Sequence, residues 1–236
     1  MIYKKLAFSI LLLLIVCAII WANKVNQNRS ILISEDFNSL SLKYIELDSL
    51  KRNLKENKFI KDSLFNQEFS FSELERHINN IDFFDNSNVY KSIDAEINFQ
   101  INEKNAIMLL EDQNKYVDSI GRIIPLSKIY KPETTRVIGE IDSINLIKAI
   151  KVSTKIVNDE FLFGHIDYIF MDSINIYLKP VNENFLIKLG NISDVSNKLD
   201  RYKIFYSAIH QSDLFGEIKN LNLSFENQVV IEKQKQ

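Results

Sequence analysis

The chain holds one cysteine, Cys17, so no intramolecular disulfide can form. Its three histidines, His77, His165 and His210, are far apart, and none stands in an HxxxH or HExxH spacing. A zinc site built on cysteine and histidine is therefore not expected. Glycine and proline are scarce, five and three among 236 residues, and neither GxxxxGK(S/T) nor GxGxxG occurs. Nucleotide phosphates thus find no glycine-rich cradle. A net charge of −2 leaves no basic footprint for nucleic acid. No cofactor motif is found, and none is expected.

What is present is globular: 46% hydrophobic and 25% charged residues. The length leaves room for one large or two small domains beyond any targeting segment.

The one long apolar run is Leu6–Ala22, LAFSILLLLIVCAIIWA, with Ser9 its only clearly polar residue. About 17 residues at a helical rise of about 1.5 Å span roughly 25 Å, the short end of what crosses a bilayer. Trp21 suits the headgroup interface. The run ends without an A-x-A cleavage pattern, and Cys17 follows Val16 with apolar residues beyond it. Both facts favour an uncleaved signal anchor over a signal peptide or a lipoprotein. Lys4 and Lys5 precede the run, and Lys24 and Arg29 follow it. The charge balance slightly favours a cytoplasmic N-terminus and an exported C-terminal part.

The exported part reads as two α+β units. SILIS at 30–34 predicts a strand. Asp48 is expected to cap a helix reaching about Asn57, with Leu50 and Leu54 inward. Ser70 and Glu73 have capping-box spacing, with Phe69 and Leu74 as a staple and an inward stripe of Leu74, Ile78 and Ile81. Ile93–Ile101 alternates apolar and polar, a half-buried strand expected to pair with Val89–Lys91.

The second unit begins near Lys104. Ala106–Leu110, Tyr116–Val117, Arg122–Ile124, Thr135–Gly139, Ile166–Met171, Ile174–Lys179 and Phe185–Leu189 are expected strands, with Pro125 ending regular pairing. Asp142 caps a helix bearing Leu146, Ile147 and Ile150. Ser193 or Asp194 opens another, with Val195, Leu199, Tyr202, Phe205, Tyr206 and Ile209 on one broad face. Leu221, Leu223 and Phe225 alternate, ENQ turns, and VVI closes the fold.

Chemistry finds little purchase. The tripeptide DSI occurs at Asp118, Asp142 and Asp172, two of them at hairpin corners and one at a helix start. Turn and cap roles account for all three. Asp118 and Gly121 fit a type I turn followed by a left-handed glycine. A serine hydrolase would need a base and a GxSxG elbow, and no elbow is present. The pairs Glu73/Glu75 and Asp82/Asp85 read as surface and helix-start charges rather than acid–base machinery. The expected sites are catalytic none, cofactor none and metal none.

The second unit carries a family resemblance. KYVDSIGRIIPLSKIYKPETTRVIGE resembles the FtsQ/DivIB family of bitopic bacterial cell-division proteins in its Bacteroidota form. That family shows aromatic-V/I-D-x-x-G-K/R-I/L-I/M-P-L-S and then a strand with R-V. Tyr116, Val117, Asp118, Gly121, Arg122, Ile123, Pro125, Leu126 and Ser127 match, followed by Arg136 and Val137. Gly190, Val195, Lys198, Leu199, Tyr202, Lys203, Phe205 and Tyr206 fit a later segment, and IKNLNLSFENQVV is similar to the terminal strand pair. One departure is EKNAIML at Glu103–Leu109, where the family has K-P-I-A-R.

The resemblance implies an α+β protein: a cytoplasmic tail at 1–5, a transmembrane helix at 6–22, a linker at 23–29, a POTRA-like βααββ module at 30–104, a mixed β-domain with packed helices at 105–231 and a polar tail at 232–236. It further implies a non-enzymatic scaffold of the divisome, single-pass in the inner membrane, with periplasmic domains at the mid-cell division site. Its partners would be FtsB- and FtsL-like coiled-coil proteins, with FtsK-, FtsW- and FtsI-like proteins as further candidates, and it would regulate septal peptidoglycan synthesis. The FtsB contact maps by β-strand addition onto Leu221, Leu223, Ser224, Phe225, Val229, Val230 and Ile231. Rival readings are a POTRA-type envelope assembly or transport protein and, behind it, a membrane-anchored hydrolase.

Overall fold

The structure is a computed structural model that describes residues 2–27, 40–56, 70–92 and 97–233. The chain divides into two compact units, Met1–Glu103 and Lys104–Gln236.

The first unit opens with helix α1, Ile2–Gln27. Its side chains are described at 8–24, where Phe8, Leu11, Leu14, Ile19 and Trp21 are all exposed. Among the described residues no helix is long and apolar enough to cross a membrane. The expected strand at 30–34 and the staple residue Phe69 lie outside the described residues.

Helix α2 spans Leu47–Glu56 and buries Leu50 and Leu54. It starts before Asp48, which therefore sits in the first turn rather than at the cap. A carboxylate there still meets the positive end of the helix dipole. Helix α3, Phe71–Asn79, is capped as expected: Ser70 Oγ accepts the Glu73 amide at 3.4 Å. Strand β1, Phe84–Lys91, pairs antiparallel with β2, Ile97–Glu103. β1 begins five residues before Val89 because Phe84 is itself a buried anchor. Residues 93–96 of the expected alternating strand lie outside the described residues. Leu50, Leu54, Leu74, Ile78, Phe84, Val89 and Ile97 form this unit's core. Glu75 Oε1 accepts the Val89 amide at 2.7 Å, so one member of the Glu73/Glu75 pair holds the hairpin.

The second unit is built on a nine-stranded mixed sheet among the described residues. Its strands are β3 Ala106–Leu110, β4 Lys115–Asp118, β5 Ile123–Pro125, β6 Thr135–Gly139, β7 Ile166–Met171, β8 Ile176–Pro180, β9 Leu186–Gly190, β10 Ile218–Asn222 and β11 Val230–Lys233. The order across the sheet is β11-β10-β9-β8-β7-β6-β3-β4-β5. Parallel neighbours need a crossover, and helices supply two of them. α4, Ser143–Val157, and α5, Glu160–His165, join β6 to parallel β7. α6, Val195–Ile209, joins β9 to parallel β10. α4 and α6 pack onto one continuous core with Met108, Val117, Val137, Ile169, Leu178, Ile187, Leu221 and Leu223.

The three DSI sites take the expected corners. Asp118 Oδ1 accepts the amides of Ile120 at 3.1 Å and Arg122 at 2.8 Å, and Arg122 Nε reaches Oδ2 at 2.6 Å. Gly121 has φ of 91°, the left-handed residue this turn requires. Asp142 Oδ1 caps α4 through the Asn145 amide at 2.7 Å. Asp172 Oδ1 accepts the amides of Ile174 and Asn175 between β7 and β8. Those two hydrogen bonds, Asn175 first, hold the Asp172 carboxyl below its ordinary range.

Other details differ from the sequence reading. Pro125 belongs to β5, opposite Lys115, which the sheet tolerates because β5 is an edge strand. α4 buries Asn145, Ala149, Val152, Ser153 and Ile156 and packs Leu146 and Ile150 against the core, while Ile147 is 65% exposed. Isoleucines ring this helix, and the small Ala149 and Ser153 face the core, with Ser153 Oγ 3.6 Å from Met108 Sδ. Asp194 has φ of 48° and makes no capping hydrogen bond, so α6 starts where expected without the expected cap. The short helix α5 escapes the periodicity reading because six residues are too few to show a stripe.

Candidate functional site

The C-terminal edge of the sheet gathers most of the residues expected to bind a partner. β10 pairs with β9 on one side and with β11 on the other, Asn222 facing Val230 and Leu221 facing Ile231. β11 ends the sheet, and among the described residues no strand pairs with its outer side. Val230 and Ile231 are about two-fifths exposed there, at 39% and 41%.

Leu221 and Leu223 are fully buried in the core. Each such burial stabilises by roughly 1.5–3 kcal/mol. Those two side chains therefore hold the edge in place from beneath and present nothing outward. Val229 is half-buried against the same core. Ser224 is exposed, and Phe225 is 50% exposed in the turn after β10 rather than in the strand.

A turn with this much exposure needs fastening, and α6 supplies it. Arg201 Nη1 donates to the carbonyl oxygens of Phe225 at 2.8 Å and Gln228 at 2.6 Å, and Nη2 to Leu223 at 3.2 Å. The guanidinium fork thus spans the whole 223–228 turn. Asn222 Oδ1 accepts the Ser224 amide at 3.0 Å and also the Ser224 hydroxyl. The Leu223 amide donates to Lys188 O at 2.8 Å, carrying the β9 pairing past the end of β10.

Lys198, one turn earlier on α6, is buried. Its ammonium donates to Leu189 O at 3.0 Å, Asn191 O at 2.8 Å and Asn191 Oδ1 at 2.9 Å. Burial lowers its pKa, and the neighbouring Arg201 charge adds to that. Gly190, between these groups, has φ of 69°. A Cβ there would lie 2.7 Å from Ser224 Cβ, so only glycine lets β9 end so close to the turn.

The outer strand is charged at its end. Glu232 accepts from Asn220 Nδ2 at 2.8 Å and pairs with Lys219 at 3.5 Å, while Lys233 reaches Glu217 at 2.8 Å. The Asn220 hydrogen bond, then the Lys219 charge, lowers the pKa of Glu232. A groove of about 520 Å3 lies beside the edge, with Tyr177, Lys188, Asn222, Val230 and Glu232 in its lining. Among the described residues no cluster of three or more metal-ligating side chains is found.

The sequence names Gly190 and Lys198 through the family resemblance but does not mark Arg201. Arg201 immediately precedes Tyr202 in the α6 stripe, and nothing in its spacing announces three carbonyl partners 22 to 27 residues away. The histidines are engaged elsewhere: His77 with Asn53, His165 with Tyr202 and His210 with the Tyr206 carbonyl.

The family model described as FtsQ/DivIB, C-terminal related, matches residues 106–231, more than half of the chain. The chain belongs to the FtsQ/DivIB family. A comparison with curated proteins found no match. The match covers the whole nine-stranded sheet as far as Ile231 in β11, and so includes the clamp residues Gly190, Lys198 and Arg201. FtsQ/DivIB is a family of non-enzymatic division scaffolds, and the domain matched here is that of a cell-division protein.

Proposed function

We propose that this protein is a non-enzymatic scaffold of the division machinery that captures an FtsB/FtsL-like coiled-coil pair by strand addition to β11. The observation that carries the reading is the open outer side of β11, with Val230 and Ile231 exposed above a turn clamped by Arg201. An apolar edge left unpaired is an aggregation hazard unless a partner covers it. Backbone hydrogen bonds would supply affinity, and Phe225, Val230 and Ile231 would supply selectivity. Leu221 and Leu223 act beneath the edge as its support.

In this reading the apolar run Leu6–Ala22 anchors the protein in the inner membrane, and the chain beyond it lies in the periplasm at mid-cell. Residues 30–104 are the POTRA-like module, supported among the described residues by α2, α3 and the antiparallel β1–β2 hairpin. FtsK-, FtsW- and FtsI-like proteins are further partners, and capture of the pair regulates septal peptidoglycan synthesis.

The test is a binding measurement on the full chain with Val230→Asp and Ile231→Asp, against Ile174→Asp on the β7–β8 turn, outside the edge strand, as control. Charge at the edge should weaken capture of the FtsB/FtsL-like pair by about 2–4 kcal/mol, some hundredfold. Capture unchanged by both edge substitutions would sink the proposal. Resistance of α1 to alkaline extraction from membranes tests the anchor separately.

A further inference from the structure

The second unit has another exposed apolar face at the opposite end of its sheet. Ile144 and Ile147 on α4 are each 65% exposed, and Ile120 at the β4–β5 corner is 71% exposed. Ile123 on β5 is 40% exposed. It sits opposite Val117, a core residue, and cross-strand partners share a face, so Ile123 is on the α4 side of the sheet. The corner also touches α4: a Cβ on Gly121 would lie 3.4 Å from Ile150 Cδ1, one helical turn from Ile147. The corner that carries Ile120 and Ile123 therefore lies beside the helix that carries Ile144 and Ile147. Single exposed isoleucines are ordinary, whereas a cluster asks what covers it.

Charge answers that question. The α4 sequence SINLIKAIKVSTKIV carries Lys148, Lys151 and Lys155 after its Asp142 cap; Lys148 donates to Asn145 Oδ1 at 3.0 Å and Lys151 to the Ile192 carbonyl at 3.1 Å. At the hairpin and its continuation, Arg122 is paired with Asp118 at 2.6 Å, while Lys128 and Lys131 add two further cations. The chain as a whole has net charge −2, so this is a local excess of cations. Outward isoleucines flanked by lysines on long flexible stems match an interfacial helix whose apolar side enters the headgroup region while its lysines reach anionic phosphates.

We infer that the outward side of α4, together with the β4–β5 corner, rests on an anionic lipid surface. The isoleucines stand on the outside of a helix and the tip of a hairpin, a shape suited to a bilayer surface rather than to gripping a peptide. The nearness of a bilayer rests on the anchoring proposed above, since a tether raises the effective concentration of the surface. The contact itself is a property of α4 and the corner.

The test uses the full chain with Cys17→Ser and one new cysteine at Ile120, Ile147 or, as control, Ile174 on the β7–β8 turn, each carrying an environment-sensitive fluorophore. The chain is mixed with vesicles of phosphatidylcholine alone or with half phosphatidylglycerol, both containing spin-labelled quencher lipid. The expected result is a blue shift and quenching at 120 and 147 in the anionic vesicles, little change at 174, and reversal at about 0.5 M salt. Replacing Lys148, Lys151 and Lys155 by glutamine should weaken the contact roughly fivefold per lysine. The salt arm leaves the fold untouched, so it decides even if that variant unfolds. Reporters at 120 and 147 that behave like the one at 174 in both vesicles overturn the inference. A response that needs an added protein partner overturns it equally. The reporters decide whether or not α1 inserts, and alkaline extraction reads the anchor independently.

Discussion

Gly190 and Ser224 stand so close that a Cβ on the glycine would lie 2.7 Å from the Ser224 Cβ. The contact joins the end of β9 to the turn that leads into β11. Gly190→Ala forces a side chain into a left-handed conformation and against this turn. It should destabilise by about 1–3 kcal/mol. Gly164→Ala, where a Cβ would meet nothing within 4 Å in the last turn of α5, should instead be neutral or stabilise by up to about 1 kcal/mol. Thermal unfolding of the two variants checks both signs.

Arg201→Ala removes all the donors that hold the carbonyls of Leu223, Phe225 and Gln228. The expected loss is about 2 kcal/mol. It should be local: amide exchange should accelerate at Val230–Lys233 while α4 amides keep their protection. Uniform acceleration across the unit would mean that Arg201 supports the core generally rather than the edge.

Asp118 is buried and holds the β4–β5 corner, whereas Ser119 is exposed. Asp118→Ala should cost about 1–3 kcal/mol by leaving the Ile120 and Arg122 amides unpaired. Ser119→Ala should change stability by less than about 0.5 kcal/mol. Neither should abolish partner capture, as a binding measurement on the two variants will show. Loss of function from Ser119→Ala at unchanged stability would restore the hydrolase reading.

His165 gives the fold a pH dependence. Its Nε2 shares a 2.6 Å hydrogen bond with the Tyr202 hydroxyl, and its ring stacks on Phe161 and meets Tyr206 edge-on. Burial lowers its pKa. The unfolded chain therefore binds this proton first as pH falls. The stabilisation is complete above the unfolded histidine value of about 6.5 and declines as pH falls below it. His165→Phe should flatten that part of the stability curve. It should also cost stability at pH 7.5 by leaving the Tyr202 hydroxyl unpaired. Denaturant midpoints across pH 5–8 test both effects.

The fold was legible where short-range chemistry decides it. Asp118, Asp142 and Asp172 announce their corners because a carboxylate two to four residues before an amide needs no distant partner. The α6 stripe was legible because Val195, Leu199 and Tyr202 repeat at helical spacing and are all buried. Isoleucines ring α4, so its sequence does not mark which of them turn inward: Ile150 packs against the core and Ile147 does not. Which side faces the core depends on how closely Ala149 and Ser153 approach the sheet, a tertiary property. The same holds at the candidate site. The apolar alternation of Leu221 and Leu223 marks a strand without saying that both leucines turn inward. The resemblance in KLGNISDVSNKLDRYKIFYSAI identified Gly190 and Lys198 without saying that, with Arg201, they converge on the turn before β11.

The central claim is that the outer side of β11 is where a division partner adds its strand. The most direct measurement is photocrosslinking in dividing cells from Val230, with Ile174 as control, followed by identification of the trapped chain. The account predicts an adduct with an FtsB-like coiled-coil protein from Val230, absent from Ile174. No adduct from Val230, or the same adducts from both positions, would contradict it.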